Sequence, residues 1–163
     1  MTRDLKTLSD SRFAPLTEVI TALKHSLGDN LVAVVVFGSR ARGEACETSD
    51  WDLLLIARHL PEKVFQRHLW LKSLLPVDWR GQATIIAKTP EEFTASLPPL
   101  FLDIALDGIV LYDPSGYLVE KLTQLQRLIG KRGLHREAAQ QDLTWQWQRF
   151  PGFGWSLEWE AAR

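Results

Sequence analysis

The stretch FGSRARGEACETSDWDLLLIA, residues 37–57, decides the fold of this 163-residue chain. It joins the end of one apolar run, LVAVVVF at residues 31–37, to a second, WDLLLIA at residues 51–57. Both runs are continuous and rich in β-branched or aliphatic residues, which is typical of strands buried on both faces. The stretch therefore predicts two buried strands in succession, joined by a polar connector that contains two glycines.

Two short motifs flank this connector. A glycine such as Gly38 lets the backbone approach a bulky ligand, and the Ser39 hydroxyl can bond a phosphate oxygen at a helix start that favours anions. Asp50 and Asp52 lie two positions apart on a strand, so they share one face about 7 Å apart. A divalent cation would relieve their repulsion. Each motif alone fits a structural turn or a solvated strand end, but together they favour a site for a metal-bound triphosphate.

The rest of the chain alternates helical and strand patterns. Apolar residues with helical spacing occupy residues 16–27, and Gly28 follows as a natural stop. Further helices are predicted at residues 61–75, from the Thr89 N-cap, at 100–106 and at 115–129 before Gly130, and further strands at 82–88 and 108–113. This alternation predicts an α/β (α+β) fold, a small mixed or parallel sheet with helices packed on it.

Composition places the chain among ordinary globular proteins. Hydrophobic residues make up 45% and charged residues 24%, and the formal net charge is −1. No global basic field therefore indicates nucleic-acid binding. Neither a signal peptide nor a membrane span is predicted, and Cys46 is the only cysteine. A cytoplasmic location without membrane association is the simplest expectation.

Taken together, the quoted residues closely resemble the core motif of the DNA polymerase beta-like nucleotidyltransferase superfamily. The closest resemblance is to its small prokaryotic members, the minimal nucleotidyltransferases. The motif covers residues 37–57, and a weaker likeness in element order extends over residues 16–130. The resemblance implies a nucleotidyltransferase domain at residues 1–130 and a separate extension at residues 131–163.

The resemblance also implies roles for individual residues. Gly38 and Ser39 match the Gly-Ser pair that binds the nucleotide phosphates, and Asp50 and Asp52 match the paired metal-binding acids, with two Mg²⁺ ions possible. In the connector, Arg40 and Arg42 could both meet phosphates, and Arg42 fits the common pattern better. An ordinary surface role, solvated or paired with Glu44 or Glu47, is about equally compatible with either arginine.

Active members of the superfamily usually carry a third carboxylate on a later strand. The matching strand here, residues 82–88, contains no Asp or Glu. Thr84 occupies the approximate position of that acid, and Asp78 could serve only if the strand began before residue 82. Because a hydroxyl is a poor base and a poor Mg²⁺ ligand, either Asp78 substitutes, or two acids hold the metal, or catalysis is weak or lost.

The resemblance implies an activity, the transfer of a nucleoside monophosphate to a hydroxyl acceptor with Mg²⁺. The leading expectation is transfer of AMP from ATP. The alternative is a weakly active or inactive binding module, such as the antitoxin partner of a HEPN-type toxin. An aminoglycoside-modifying enzyme would share the fold, but no acidic substrate domain accompanies it here.

The extension differs in composition from the rest of the chain. It holds four of the seven tryptophans, Trp145, Trp147, Trp155 and Trp159. Such aromatic density predicts packing on its own domain or on a second subunit, or an interface for a HEPN-type partner. The basic cluster Lys131, Arg132, His135 and Arg136 fits a solvated helix end, with phosphate or nucleic-acid contact as the alternative. Asp103, Asp107 and Asp113 fit polar faces and turns.

Overall fold

The computed structural model describes residues 10–139, 142–149 and 157–159. The helices of this part are α1 (Leu16–Leu27), α2 (Gly38–Arg42), α3 (Val64–Leu74), α4 (Pro90–Ala95), α5 (Pro99–Asp107) and α6 (Tyr117–Arg132). Its strands are β1 (Leu31–Phe37), β2 (Trp51–Ala57), β3 (Ala83–Lys88), β4 (Ile109–Tyr112), β5 (Leu134–Ala139) and β6 (Asp142–Trp147). Among these residues, no helix is both long enough and apolar enough to cross a membrane.

The main sheet has four strands in the order β3-β2-β1-β4. Strand β1 is antiparallel to both β2 and β4, whereas β2 and β3 run parallel. The predicted mixed sheet is therefore confirmed. The pairing sets Phe37 opposite Asp52, and Asp52 opposite Thr84 on β3. The ends of three strands thus meet at one place on the sheet.

Helices cover both faces of the sheet, which explains why β1 and β2 are apolar at nearly every position. On one face, α1 and Leu71 of α3 pack on side chains such as Val34 and Leu53. On the other face, α4, α5 and α6 pack on side chains such as Val35 and Leu54. Alternate residues of one strand thus enter different cores, and neither face needs polar side chains.

Local signals locate several helix ends correctly. Helix α1 ends at Leu27, and Gly28 follows with a φ of 52°. Thr89 caps α4 in a capping box with Glu92. The predicted stop at Gly130 is wrong, because α6 continues to Arg132 and ends at Gly133, whose φ of 63° provides the left-handed cap. A glycine inside a helix costs only about 1 kcal/mol, so Gly130 does not end it.

A two-stranded hairpin follows α6 and was not predicted. Strands β5 and β6 pair with each other and form a sheet of their own. Leu134 is buried in the core beneath α4–α6, and Trp145 and Trp147 pack partly buried against it. Trp159 is also buried there, and its ring lies 5.1 Å from that of Phe93. The predicted packing of Trp155 concerns a residue outside the described part.

Candidate active site

The two halves of the Gly-Ser and Asp-x-Asp motif meet at the end of β1. Gly38 begins α2 with a φ of 74°. A Cβ atom added to Gly38 would lie 2.5 Å from the Oδ2 atom of Asp52. Only glycine combines this left-handed backbone with such a close approach. The turn before Ser39 therefore lies directly against Asp52, the second acid of the motif.

Asp50 and Asp52 form the acidic pair of this site. Asp50 is exposed just before β2, and Asp52 is half-buried within it. Burial raises the pKa of Asp52, and the charge of Asp50 raises it further, while the charge of Arg42 opposes the shift. Two carboxylates thus lie within electrostatic reach of each other, and one of them is partly desolvated. Oxygen donors with uncompensated negative charge suit Mg²⁺, so the pair fits the predicted metal.

Among the described residues, no third carboxylate is gathered with this pair. Within the described ranges, no group of three or more His, Cys, Asp or Glu side chains is gathered as a metal site. Thr84 is the direct neighbour of Asp52 on β3 and is exposed. Asp78 lies in the turn Val77–Trp79, and β3 begins only at Ala83. The strand therefore does not start early enough to carry Asp78 to the position that Thr84 occupies.

Arg40 stabilises the connector through a stacking contact and two hydrogen bonds. Its guanidinium lies 4.5 Å above the ring of Trp51, and its Nε and Nη2 atoms both donate to the Ser49 carbonyl oxygen, at 3.1 and 2.6 Å. These contacts hold Ser49, just before Asp50, and Trp51, between the two acids. They use two of the five N–H donors of the guanidinium, so Arg40 supports the conformation of the connector and keeps further donors.

Arg42 lies on the same side as Asp52. Its Nε atom donates to Glu44 at 2.7 Å, which is the surface ion pair considered from the sequence. Its Nη1 atom lies 3.8 Å from the Oδ2 atom of Asp107 on α5. The charge of Arg42 also acts on Asp52, as the opposing effect on the Asp52 pKa shows. Arg42 is therefore the arginine of the connector whose charge acts on the second acid of the pair.

Ion pairs and a hydrogen bond join the hairpin of β5 and β6 to α5, and the sequence analysis did not predict them. Arg136 of β5 donates to Asp107 at 2.6 and 2.9 Å and to Asp103 at 3.0 Å. Trp145 of β6 donates its indole N–H to Asp103 at 3.0 Å. The expectation of a solvated helix end is thus wrong for Arg136. The i, i+4 spacing of Asp103 and Asp107 on one helix face was the available signal.

Comparison with known proteins identifies the family of the chain. Residues 18–89 match the family described as Polymerase beta, Nucleotidyltransferase. The curated protein "Putative protein adenylyltransferase MJ1305" of Methanocaldococcus jannaschii is 33% identical over 118 residues, which cover 70% of this chain and 80% of that protein.

Solved structures with a similar fold include two from toxin–antitoxin complexes. A chain of a toxin–antitoxin with AMP-PNP has a TM-score of 0.49 at 17% identity, and the match covers 71% of this chain and 90% of that one. A chain from the complex of tri-AMPylated Shewanella oneidensis HEPN toxin with MNT antitoxin has a TM-score of 0.49 at 14% identity, over 74% and 92%. Because of the matched family and the 33% identity to the archaeal relative, we conclude that the chain belongs to the minimal nucleotidyltransferases of the DNA polymerase beta-like nucleotidyltransferase superfamily.

Proposed function

We propose that this nucleotidyltransferase transfers AMP from ATP to a hydroxyl group on a protein, with Mg²⁺ held by Asp50 and Asp52. The observation that carries the proposal is the contact of Gly38 with the Asp52 carboxylate, beside the second carboxylate of Asp50. The name of the archaeal relative, a protein adenylyltransferase, supports AMP as the transferred group and a protein as the acceptor.

Each residue of the site has a part in this reaction. Asp50 and Asp52 would hold Mg²⁺, which when bound neutralises charge on the triphosphate and the leaving pyrophosphate. The missing side chain at Gly38 leaves the turn close to Asp52, and the Ser39 hydroxyl would bond a phosphate oxygen. Arg42 would pair with the phosphates.

In the reaction itself, the acceptor oxygen forms a bond to the α-phosphorus of ATP. The bond from that phosphorus to the oxygen bridging to the β-phosphate breaks, and pyrophosphate leaves. The proton of the hydroxyl passes to solvent water, so the products are the AMP ester, pyrophosphate and one proton. The protein contributes by holding the two reactants in line and by stabilising the negative charge of the triphosphate.

Thr84 limits the rate in this proposal. It occupies the position beside Asp52 where the superfamily usually has its third acid, and a hydroxyl is a weak base at neutral pH. We therefore expect slow turnover despite firm nucleotide binding. Thr84→Asp would supply the carboxylate at the same register position, and we expect this variant to transfer AMP faster than the wild type.

The test uses ATP labelled at the α-phosphate, Mg²⁺ and candidate acceptors, starting with any HEPN-type protein encoded beside this chain. Asp50→Asn combined with Asp52→Asn should abolish Mg²⁺-dependent ATP binding and labelling without unfolding the protein. A matched double variant, Asp29→Asn with Glu62→Gln, removes two exposed carboxylates elsewhere and should keep both. Unchanged ATP binding in the first double variant would show that the metal site is wrongly placed.

A further inference from the structure

We propose that Arg136 of the C-terminal hairpin is a positioning residue for nucleotide binding. It neutralises Asp107 and thereby keeps Arg42 free to pair with the triphosphate. The inference rests on the proposed function, because it assigns Arg42 to the phosphates. It adds to that function a control of the site by a segment outside the Gly-Ser and Asp-x-Asp motif.

Two arginines approach the same carboxylate. Arg136 donates to both oxygens of Asp107, at 2.6 and 2.9 Å, in a bidentate pair. Arg42 forms a longer ion pair with the same carboxylate, because its Nη1 atom lies 3.8 Å from the Oδ2 atom of Asp107. That distance is beyond a hydrogen bond. The hydrogen bonds of Asp107 thus come from the hairpin arginine, while the connector arginine faces the carboxylate without donating to it.

Because Asp107 is buried, its carboxylate needs a cation as a hydrogen-bonding partner. The Asp107 side chain is only 8% exposed, and that of Arg136 is 14% exposed. A carboxylate this deeply buried is strongly destabilised unless a cation and hydrogen-bond donors compensate it. If the charge of Arg136 were removed, Asp107 would draw in the nearest remaining cation. Arg42 is that cation among the described neighbours, and a movement of about 1 Å would bring it into hydrogen-bond distance.

Capture of Arg42 by Asp107 would weaken nucleotide binding. Arg42 already donates its Nε atom to Glu44, so a new bond from Nη1 to Asp107 would occupy both sides of its guanidinium. The positive charge of Arg42, which now acts on Asp52, would then be neutralised by Asp107. A charge-assisted hydrogen bond to a phosphate would be lost, which raises the Kd for ATP about tenfold or more.

Asp103 provides the matched control for the hairpin itself. It accepts from Arg136 and from the indole of Trp145, so Asp103→Ala removes the acceptor of both bonds and weakens the attachment of the hairpin to α5. Asp103 lies one turn before Asp107 on α5, and no ion pair joins it to Arg42 among the described residues. A merely structural role of this attachment would therefore lower the affinity in Asp103→Ala as well as in a variant of Arg136.

The experiment measures the Kd for ATP with Mg²⁺ by calorimetry, together with the thermal midpoint of each variant. We expect Arg136→Met to raise the Kd about tenfold, and Arg136→Lys and Asp103→Ala to stay within about threefold of the wild type. Adding Asp107→Asn to Arg136→Met should restore the Kd, because the charge that captures Arg42 is then gone. If Arg136→Met does not fold, Arg136→Gln keeps hydrogen-bond donors and replaces it.

Two results would overturn the inference. One is a comparable loss of affinity in Arg136→Met and Asp103→Ala, and the other is a double variant that binds as weakly as Arg136→Met alone. A protein that binds no nucleotide would refute the proposed function instead. The inference would then be judged from the Arg42 Nη–H signals in NMR spectra at low temperature, whose exchange with water must slow in Arg136→Met if the Nη1 group is captured by Asp107, and an unchanged rate would refute it.

Discussion

Replacing Gly38 by alanine tests the convergence on which the site depends. The backbone of Gly38 is left-handed, with a φ of 74°, which costs an alanine about 1–2 kcal/mol. The new Cβ atom would also lie 2.5 Å from the Oδ2 atom of Asp52. Contacts below 3.0 Å do not persist, so the carboxylate has to move by roughly 0.5 Å or more.

This displacement is small for the fold and large for the metal. The Asp52 carboxylate can rotate, so the free energy of unfolding should fall by little more than the backbone cost. Mg²⁺ requires oxygens at about 2.0–2.1 Å in near-ideal octahedral geometry, and a shift of this size exceeds its tolerance. Misplacement of a reacting group by about 1 Å costs about a hundredfold in rate, so half that distance predicts about a tenfold loss.

Gly116 offers the matched control. Its φ of 72° is almost the same, but nothing lies within 4 Å of an added Cβ atom. Urea unfolding should show similar destabilisation in Gly38→Ala and Gly116→Ala. Calorimetry should show a rise of about tenfold in the Kd for ATP with Mg²⁺ in Gly38→Ala alone, because disturbing the orientation of a metal ligand costs about 10–100-fold in metal affinity. Wild-type affinity in Gly38→Ala would refute the placement of the metal-binding carboxylate against the Gly-Ser turn.

Two further predictions concern the extension and the connector. Trp159 is buried, and its indole N–H donates to the carbonyls of Phe93 and Ser96, each at 2.9 Å. In urea titrations, Trp159→Ala should therefore lower the free energy of unfolding by about 3–5 kcal/mol. Trp159→Phe should lower it by less. An unchanged midpoint in Trp159→Ala would contradict this packing. Hydrogen bonds led by that from Ser49 lower the pKa of Cys46 to about 7, so the thiolate forms as the pH rises through 7. Alkylation of the single cysteine should therefore have its midpoint near pH 7 and move to higher pH in Ser49→Ala, and an equal midpoint in both proteins would argue against the hydrogen bond.

The central strands could be predicted because their burial leaves a direct trace in the sequence. Residues 31–37 and 51–57 are apolar throughout, and the structure starts and ends both strands at these positions. Burial on both faces is what such runs indicate. The capping box at Thr89 is equally local, since its donors and acceptors lie within three residues.

The hairpin could not be predicted because its stability comes from distant partners. Its strands contain few β-branched residues, and the bonds that fasten it join Arg136 and Trp145 to carboxylates 29–42 positions away in the chain. The role of Arg40 was hidden for a similar reason. Its stacking on Trp51 depends on how the connector folds back, which no spacing rule describes.

The register of β1 against β2 has a consequence for how the protein acquires its acidic site. Phe37 pairs with Asp52, and neighbouring residues of β2 point to opposite faces of the sheet. A slip of one residue would place Trp51 or Leu53, according to its direction, at the position of Asp52, which is one of the two proposed metal ligands. Under the proposed function, incorrectly paired chains would then bind no divalent cation at this position. Binding of ATP with Mg²⁺ during refolding would report the fraction of molecules whose strands have aligned correctly.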